Sequence, residues 1–339
     1  MNAHESDKLA HMLVTSGMVK SNSAEDADAL IFQTCSIRNT AAQKTLTHIA
    51  QAKKTRDKSN PSQKICVIGC LSAEDRNYPE LVGVDHILGT NELEALVEIL
   101  TGSAISQNFG VGNSIIIAHG CENFCSYCIV PYVRGREHSR CVDEIIAEFE
   151  NIKNCGEVIY LLGQNVNTYK CPRTGFGFVE LLDKISSING DFKINFMSSH
   201  PKDFTLELVN CIARNPKIER NIHLPMQSGC DKILELMNRG YTVSEYIAKI
   251  EMLREHVPGV RITTDMICGF PGETIEDFNQ TIATFKQIGF NAAFIFPYSR
   301  RTGTVADKMP GQIEEKEKKR RTSELVDINR KILTKNKDV

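Results

Sequence analysis

From about residue 115 onward, short apolar runs alternate with amphipathic stretches. The runs cover 114–118, 157–162, 193–197, 221–224, 261–267 and 292–296, lengths that suit strands. Between them Val142, Ile145, Ile146, Phe149 and Ile152 recur at helical spacing, and Gly156 stands where a terminating glycine would. Residues 241–254 and 277–288 show the same helical pattern. Six strand-then-helix units in succession predict a parallel sheet curled into a partial (β/α)6 barrel of the TIM type. Residues 1–105 predict a separate, smaller α/β domain: helix 5–16, strand 29–33, helix 38–53, strands 64–69 and 85–88, helix 92–100. It opens on a helix, whereas a parallel α/β domain ordinarily opens on a strand, so its first strand is expected to be missing. Residues 101–113 are rich in Gly, Ser and Asn, and the linker is placed at 106–113, with the second domain at 114–339.

Composition narrows the function classes without choosing one. A chain of 339 residues has room for two domains, and 41% hydrophobic with 24% charged residues is ordinary for a globular protein. A formal charge of -2 gives no global nucleic-acid signature, so contact with nucleic acid must rest on local patches. Twelve cysteines are many, yet the polar start Met1-Asn-Ala-His-Glu-Ser is no secretory signal. No apolar run approaches the roughly 18 residues of a membrane span. These features point to a cytoplasmic protein whose critical thiols sit on metal.

The chemistry concentrates in Cys121, Cys125 and Cys128, a Cys-x3-Cys-x2-Cys run just after the first barrel strand, at the end of the sheet where parallel α/β folds build their sites. Three thiolates on one loop suit three corners of a cubane iron–sulfur cluster and leave the fourth iron open. Zinc, a four-cysteine cluster completed by Cys141, and plain structural thiols are the alternatives. Cys35 and Cys70 stand at the ends of two strands of the first domain, where neighbouring tips can meet on one rim. Each alone reads as a small buried hydrophobe; together they suggest a second cluster, with Cys66 as core. Arg134, Arg136 and Arg140, with Tyr132 among them, suit phosphate or base contacts, or internal ion pairs with Glu137 and other carboxylates. Gln227 and residues 269–273 end the fourth and fifth strands as pocket walls. His200 and His223, at strand ends, read as ordinary hydrogen-bonded histidines. Residues 314–321 read as a solvated helix face laced by Glu314/Lys318, Glu315/Lys319 and Glu317/Arg321 pairs, and Lys53, Lys54, Arg56 and Lys58 as a solvated basic loop.

The tight cysteine triplet with Tyr127 before its last member resembles that of the radical S-adenosylmethionine (SAM) enzymes. Further motifs resemble one family among them: Thr-Cys-Ser-Ile-Arg (34–38), Ile-Gly-Cys (68–70), Cys-Ser-Tyr-Cys-Ile-Val-Pro (125–131), Leu-Leu-Gly-Gln-Asn-Val-Asn (161–167), Ser-Ser-His-Pro (198–201), His-Leu-Pro-Met-Gln-Ser-Gly (223–229) and Gly-Phe-Pro-Gly-Glu-Thr (269–274). By these the chain is similar to the methylthiotransferases, and within them to the MiaB type, the tRNA-2-methylthio-N6-dimethylallyladenosine synthases. The likeness runs over residues 2–335. It implies an N-terminal flavodoxin-like methylthiotransferase domain before a radical SAM barrel. It also implies two [4Fe-4S] clusters, one on Cys121, Cys125 and Cys128 and an auxiliary one on Cys35 and Cys70. SAM cleaved at the first gives a 5′-deoxyadenosyl radical that takes hydrogen from C2 of the base, and a methylated sulfur from the auxiliary cluster is delivered there. Tyr127 is then expected near the SAM adenine, a packing aromatic being its alternative, and Gly163, Gln164 and Asn165 near the SAM methionine. The partners implied are a tRNA anticodon loop and a flavodoxin- or ferredoxin-type electron donor, with a monomeric chain. The family's Gly-Cys-Gln-Met-Asn motif is matched here only from Met1-Asn2, and its C-terminal TRAM barrel is not matched before Val339. An auxiliary cluster one ligand short is therefore expected, and a protein that cleaves SAM without inserting sulfur is the alternative. Siblings acting on threonylcarbamoyl-adenosine or a ribosomal-protein aspartate are disfavoured by Cys-Ser-Ile-Arg and Gln-Asn-Val-Asn.

Overall fold

The computed structural model describes every residue except 36–38, 71–77, 91, 104–111 and 336–339, and leaves undescribed the side chains of 35, 39–41 and 335. Residues 106–111 of the expected linker, 36–38 of the Cys35 motif and the Cys35 side chain lie outside the described residues. The chain divides into two compact units, one of residues 1–114 and 129–136, the other of 115–128 and 137–339.

The first unit is built on a parallel sheet of β1 (Ala29–Cys35), β2 (Lys64–Cys70) and β3 (His86–Leu88), in that order. Central β2 is buried at every position but its first, which is why it reads as an unbroken apolar run. One face is covered by α1 (Asn2–Thr15) and α3 (Leu93–Thr101), whose Leu9, Met12, Leu96 and Val97 meet Cys66 and Ile68. The other face takes α2 (Asn39–Ser59) through Leu46 and Ile49 on Val67. Helix α2 runs past its expected end at 53, so Lys53, Lys54, Arg56 and Lys58 lie on a helix rather than a loop. Lys53 donates to the carbonyls of Glu80 and Val82, and Arg56 pairs with Asp57 and Asp85. Burial and the Asp85 charge push the Cys66 thiol up to about 11, in keeping with a core residue. A short helix, α4 (Val130–Arg134), also belongs to this unit.

In the second unit six strands follow one another in space in their order along the chain. Three form one sheet: β4 (Ser114–Ile116), β7 (Val158–Leu162) and β8 (Lys193–Phe196). Another three form the next: β9 (Asn221–His223), β10 (Arg261–Cys268) and β11 (Ala292–Pro297). A single parallel bridge between Ile194 and Ile218 joins the two. A hairpin of β5 (Ala118–His119) and β6 (His138–Ser139) follows β4. Helices α5 (Val142–Ile152), α6 (Phe178–Ser186), α7 (Leu206–Arg214), α8 (Asp231–Leu236), α9 (Val243–His256), α10 (Ile275–Ile288) and α11 (Glu315–Lys335) complete the unit. One strand face is dry: Ile159, Leu161, Ile194, Phe196, Ile222, Ile262 and Met266 join one core with the helices. The register then assigns the other face. His223 pairs with Thr263, Asp265 with Phe294, and Ile267 with Phe296, so all six point to the concave side.

Candidate active site

The cysteine loop lies in the second unit between β5 and the turn at 126–127. Positive φ at Gly120 (75°) and Phe124 (45°) bends it, and the Cys128 amide donates to the Cys125 carbonyl at 2.9 Å, drawing those two residues into one turn. The loop is braced from outside: Asn238 Nδ2 donates to the carbonyls of Asn123 (3.2 Å) and Phe124 (3.0 Å), and Lys202 Nζ to Asn123 Oδ1 (2.9 Å). The Ser126 hydroxyl donates to the Leu236 carbonyl at 2.7 Å. Cys125 is buried, while Cys121 and Cys128 are half-buried. Burial pushes the Cys121 thiol up, so metal binding there must release a proton. Tyr127 packs with Phe270, Tyr298, Ile233 and Met237.

The strand ends carry strain and unspent hydrogen-bonding capacity. Besides Phe124, the non-glycine residues at positive φ among the described residues are Ser198 (69°), Gln227 (72°) and Asn238 (55°), each just beyond β8, β9 or α8. Such conformations cost on the order of 1–3 kcal/mol each and cluster where function demands them. Asn165 Oδ1, Asn167 Nδ2, Ser199 Oγ, His200 Nε2 and Gln227 Oε1 are buried with no hydrogen-bond partner among the described residues. A buried polar atom left so costs about 1–3 kcal/mol, and a polar ligand at this rim would recover it. Gly163 lies close to its neighbours: a Cβ there would stand 3.2 Å from Val166 Cγ1, a tight contact that Val166 would have to yield to. Gln164 is half-buried beside it. Burial, with the charges of Arg239 and Lys202, holds the His200 pKa far below its ordinary range, so its ring is neutral. Its Nδ1 accepts from the Lys202 amide. His223 bonds Thr263 Oγ1 (2.8 Å) and Asp265 Oδ2 (3.2 Å) on the concave face.

In the first unit Cys35 and Cys70 are direct register partners at the ends of β1 and β2. Gly69, at φ 129°, permits the pairing, since a Cβ there would lie 2.5 Å from the Thr34 carbonyl oxygen. Arg134 sits against Cys70: Nε donates to Cys70 Sγ at 3.0 Å, Nη1 to Glu5 Oε1 at 2.8 Å and Nη2 to Asn2 Oδ1 at 2.9 Å. Arg134 and Glu5 side chains are each 2% exposed. Arg140 is likewise turned inward, to Glu148 (2.7 Å) and the Ile116 carbonyl (2.8 Å). Both therefore follow the ion-pair alternative rather than presenting phosphate contacts; Arg136 and Tyr132 are exposed. Cys141, weighed as a fourth ligand, caps α5, where the next amide, that of Val142, donates to Cys171 Sγ at 3.4 Å.

Two residues that the sequence did not single out matter most. Arg239 is 4% exposed, and its Nη1 donates to Cys125 Sγ and Tyr127 Oη at 3.3 Å each. Asn238, before it, holds the cysteine loop. The signal was the pair Asn238 and Gly240 flanking an arginine, a turn that presents one side chain; Gly240 has φ 67°.

The donor set fits a cluster with SAM: three thiols on one braced loop, a cation against one of them, and a rim of directed polar atoms for a zwitterionic ligand. Among the described residues no three His, Cys, Asp or Glu side chains converge on a single ion. A cubane needs no such convergence, because each thiolate serves a different iron.

Comparison with known proteins agrees with this chemistry. Residues 115–285 match the radical SAM superfamily and residues 1–89 the uncharacterized protein family UPF0004. A tRNA-2-methylthio-N(6)-dimethylallyladenosine synthase of Caldicellulosiruptor saccharolyticus is 40% identical, covering 99% of this chain and 77% of its own. That of Carboxydothermus hydrogenoformans is 39% identical, covering 100% and 83%. Among solved structures, the cobalamin-dependent SAM radical enzyme OxsB with aqua-cobalamin and SAM bound shares the fold, with TM-score 0.58 at 12% identity over 98% of this chain and 53% of that one.

Proposed function

The chain belongs to the tRNA-2-methylthio-N(6)-dimethylallyladenosine synthases of the radical SAM superfamily, and we propose from that membership that it replaces the C2 hydrogen of N6-dimethylallyladenosine in tRNA with a methylthio group. The observation that carries the reading is a family likeness extending through both units, with the cysteine triplet on a braced loop of the second and Cys35 and Cys70 in register in the first. The chemistry a cluster would supply at the triplet is one-electron reduction of SAM. The protein's own residues position and shield. Cys121, Cys125 and Cys128 would hold that cluster through their three thiolates. Tyr127 offers a flat face toward its adenine. Asn165, Ser199 and Gln227 turn unspent polar atoms to the rim, and Gly163 keeps the backbone close.

The base belongs on the concave face. Met197, Phe294 and Phe296 are 43%, 54% and 41% exposed, unusual for large apolar side chains on the inside of a barrel. A purine bearing a branched apolar substituent suits that surface, and a base in a single-stranded loop can leave its stack at low cost. Replacing Phe294 and Phe296 with alanine is expected to weaken binding of an anticodon stem-loop carrying the dimethylallyl group by about 1–3 kcal/mol, roughly five- to 150-fold in Kd. The unmodified stem-loop should change much less. Equal losses for the two RNAs would remove the Phe pair from substituent recognition. Of the three arginines we assign phosphate contact to Arg136, which is exposed at the surface, and a flavodoxin or ferredoxin is the electron donor. No helix among the described residues is long and apolar enough to cross a membrane; a monomer working in the cytoplasm completes the reading.

The reading is tested with anaerobically reconstituted chain, SAM, a strong reductant and tRNA bearing N6-dimethylallyladenosine, followed by mass spectrometry of the nucleosides. A methylthio nucleoside is expected. SAM consumed with the tRNA unchanged would replace the reading by SAM cleavage alone, and product only on threonylcarbamoyl-adenosine would move the chain to the sibling class.

A further inference from the structure

Arg239 presents an electrostatic problem that its protein neighbours leave unsolved. It is 4% exposed, and an arginine does not lose its proton in a protein. Nε donates to Tyr241 Oη at 3.0 Å, Nη2 to the Pro225 carbonyl at 3.0 Å, and Nη1 to Tyr127 Oη and Cys125 Sγ. The oxygens are neutral: one carbonyl and two phenols whose ordinary pKa is near 10. Among the described residues no carboxylate lies within salt-bridge distance of this guanidinium, whereas buried Arg134 has Glu5 and buried Arg321 has Glu273. A buried charge without a counter-charge is severely unfavourable. Among these partners the Cys125 thiol is the one that gives up its proton on binding iron.

We infer that Arg239 is a positioning residue for the cluster on Cys121, Cys125 and Cys128, holding a buried, otherwise uncompensated positive charge and an N–H donor against the Cys125 sulfur so as to raise the cluster's reduction potential. The inference rests on the triplet holding an iron–sulfur cluster, not on which substrate is thiolated. Potentials of such clusters follow net charge and hydrogen bonds to sulfur. One-electron reduction adds negative charge to the cluster, and a fixed cation at hydrogen-bond distance favours that reduced state in a low-dielectric site. The electron comes from the external donor, and no bond forms or breaks in this step.

The test is an EPR-monitored redox titration of the anaerobically reconstituted chain, in a Cys35→Ala/Cys70→Ala background so that only one cluster titrates. Arg239→Met and Arg239→Gln are compared with the parent. In either neutral variant that carries the parent's iron, the reduced-to-oxidised ratio at a fixed potential is expected to fall about tenfold, a shift of about 59 mV for one electron. Arg239→Lys, which keeps the charge, should fall less. A fully loaded neutral variant with the parent midpoint overturns the inference, because a merely structural role changes iron content or stability and leaves the potential of the clusters that form alone. If neither neutral variant retains iron, loading by Arg239→Lys supports the counter-charge role, and failure of Arg239→Lys to load overturns it.

Discussion

Replacing Cys121, Cys125 or Cys128 singly with alanine is expected to abolish SAM cleavage, reducing 5′-deoxyadenosine formation to that of chain without iron. The reason is the isolation of the triplet. The loop is pinned by Asn238, Lys202 and the Ser126 hydroxyl, so it cannot slide to bring another donor to a vacated corner. The nearest cysteine beyond it in sequence, Cys141, is held at the start of α5. With one thiolate gone, two irons lack protein ligands, and iron content should fall by about one cluster. Cys155→Ser, an exposed cysteine, should keep both iron and cleavage. Cys70→Ala should separate the two chemistries, preserving SAM cleavage while ending methylthio transfer. The readouts are iron per chain, the EPR signal of the reduced cluster, and 5′-deoxyadenosine by chromatography. Substantial cleavage in any of the three alanine variants would remove the triplet from the reaction.

The architecture was legible because its signals are local. Strands buried on one face announce themselves by composition and length, and 142–152 by its apolar stripe, so all six barrel strands fall within a few residues of where the pattern puts them. The cysteine motif is also local. What the sequence hides is the destination of long cations, since Lys and Arg read as surface residues wherever they occur. Arg134, Arg140 and Arg239 are all drawn inward, each with at least one partner distant in sequence, at separations of 129, 24 and 114 residues. The run at 314–321 misled for a related reason. Its i,i+4 logic holds for Glu317 and Arg321, at 2.8 Å, yet Lys318 and Arg321 are 4% and 5% exposed. Leu325 is buried in the barrel core, with Ile328 and Ile332 packed against it. Extending that stripe backwards by helical spacing lands on Arg321 and Lys318. The inward face of α11 was therefore readable from its apolar end, though not from its charged one.

Glu273→Ala is expected to destabilise the second unit by about 3–5 kcal/mol, the penalty for stranding a buried charge. Glu273 and Arg321 side chains are 1% and 6% exposed, and Arg321 Nη1 reaches Glu273 Oε1 at 2.6 Å and the Glu273 carbonyl at 2.9 Å. The same Oε1 accepts from the Gly269 amide at 3.0 Å, closing the loop that follows β10. Phe270 of that loop stacks edge-on against Tyr298, in the cluster that supports Tyr127. Removing the carboxylate thus unpins the loop and leaves Arg321 with only half-exposed Glu317 as counter-charge. Removing both charges together, as Glu273→Leu/Arg321→Met, should restore most of the stability, because a well-packed apolar pair is often as stable as a buried ion pair. It should not restore SAM affinity, since the Gly269 amide would still lack its acceptor. Denaturant midpoints for the two single variants and the double, with SAM Kd measured on each, separate these effects. A loss under about 1 kcal/mol in Glu273→Ala would mean that water reaches the site and that α11 is not the strut holding this wall of the mouth.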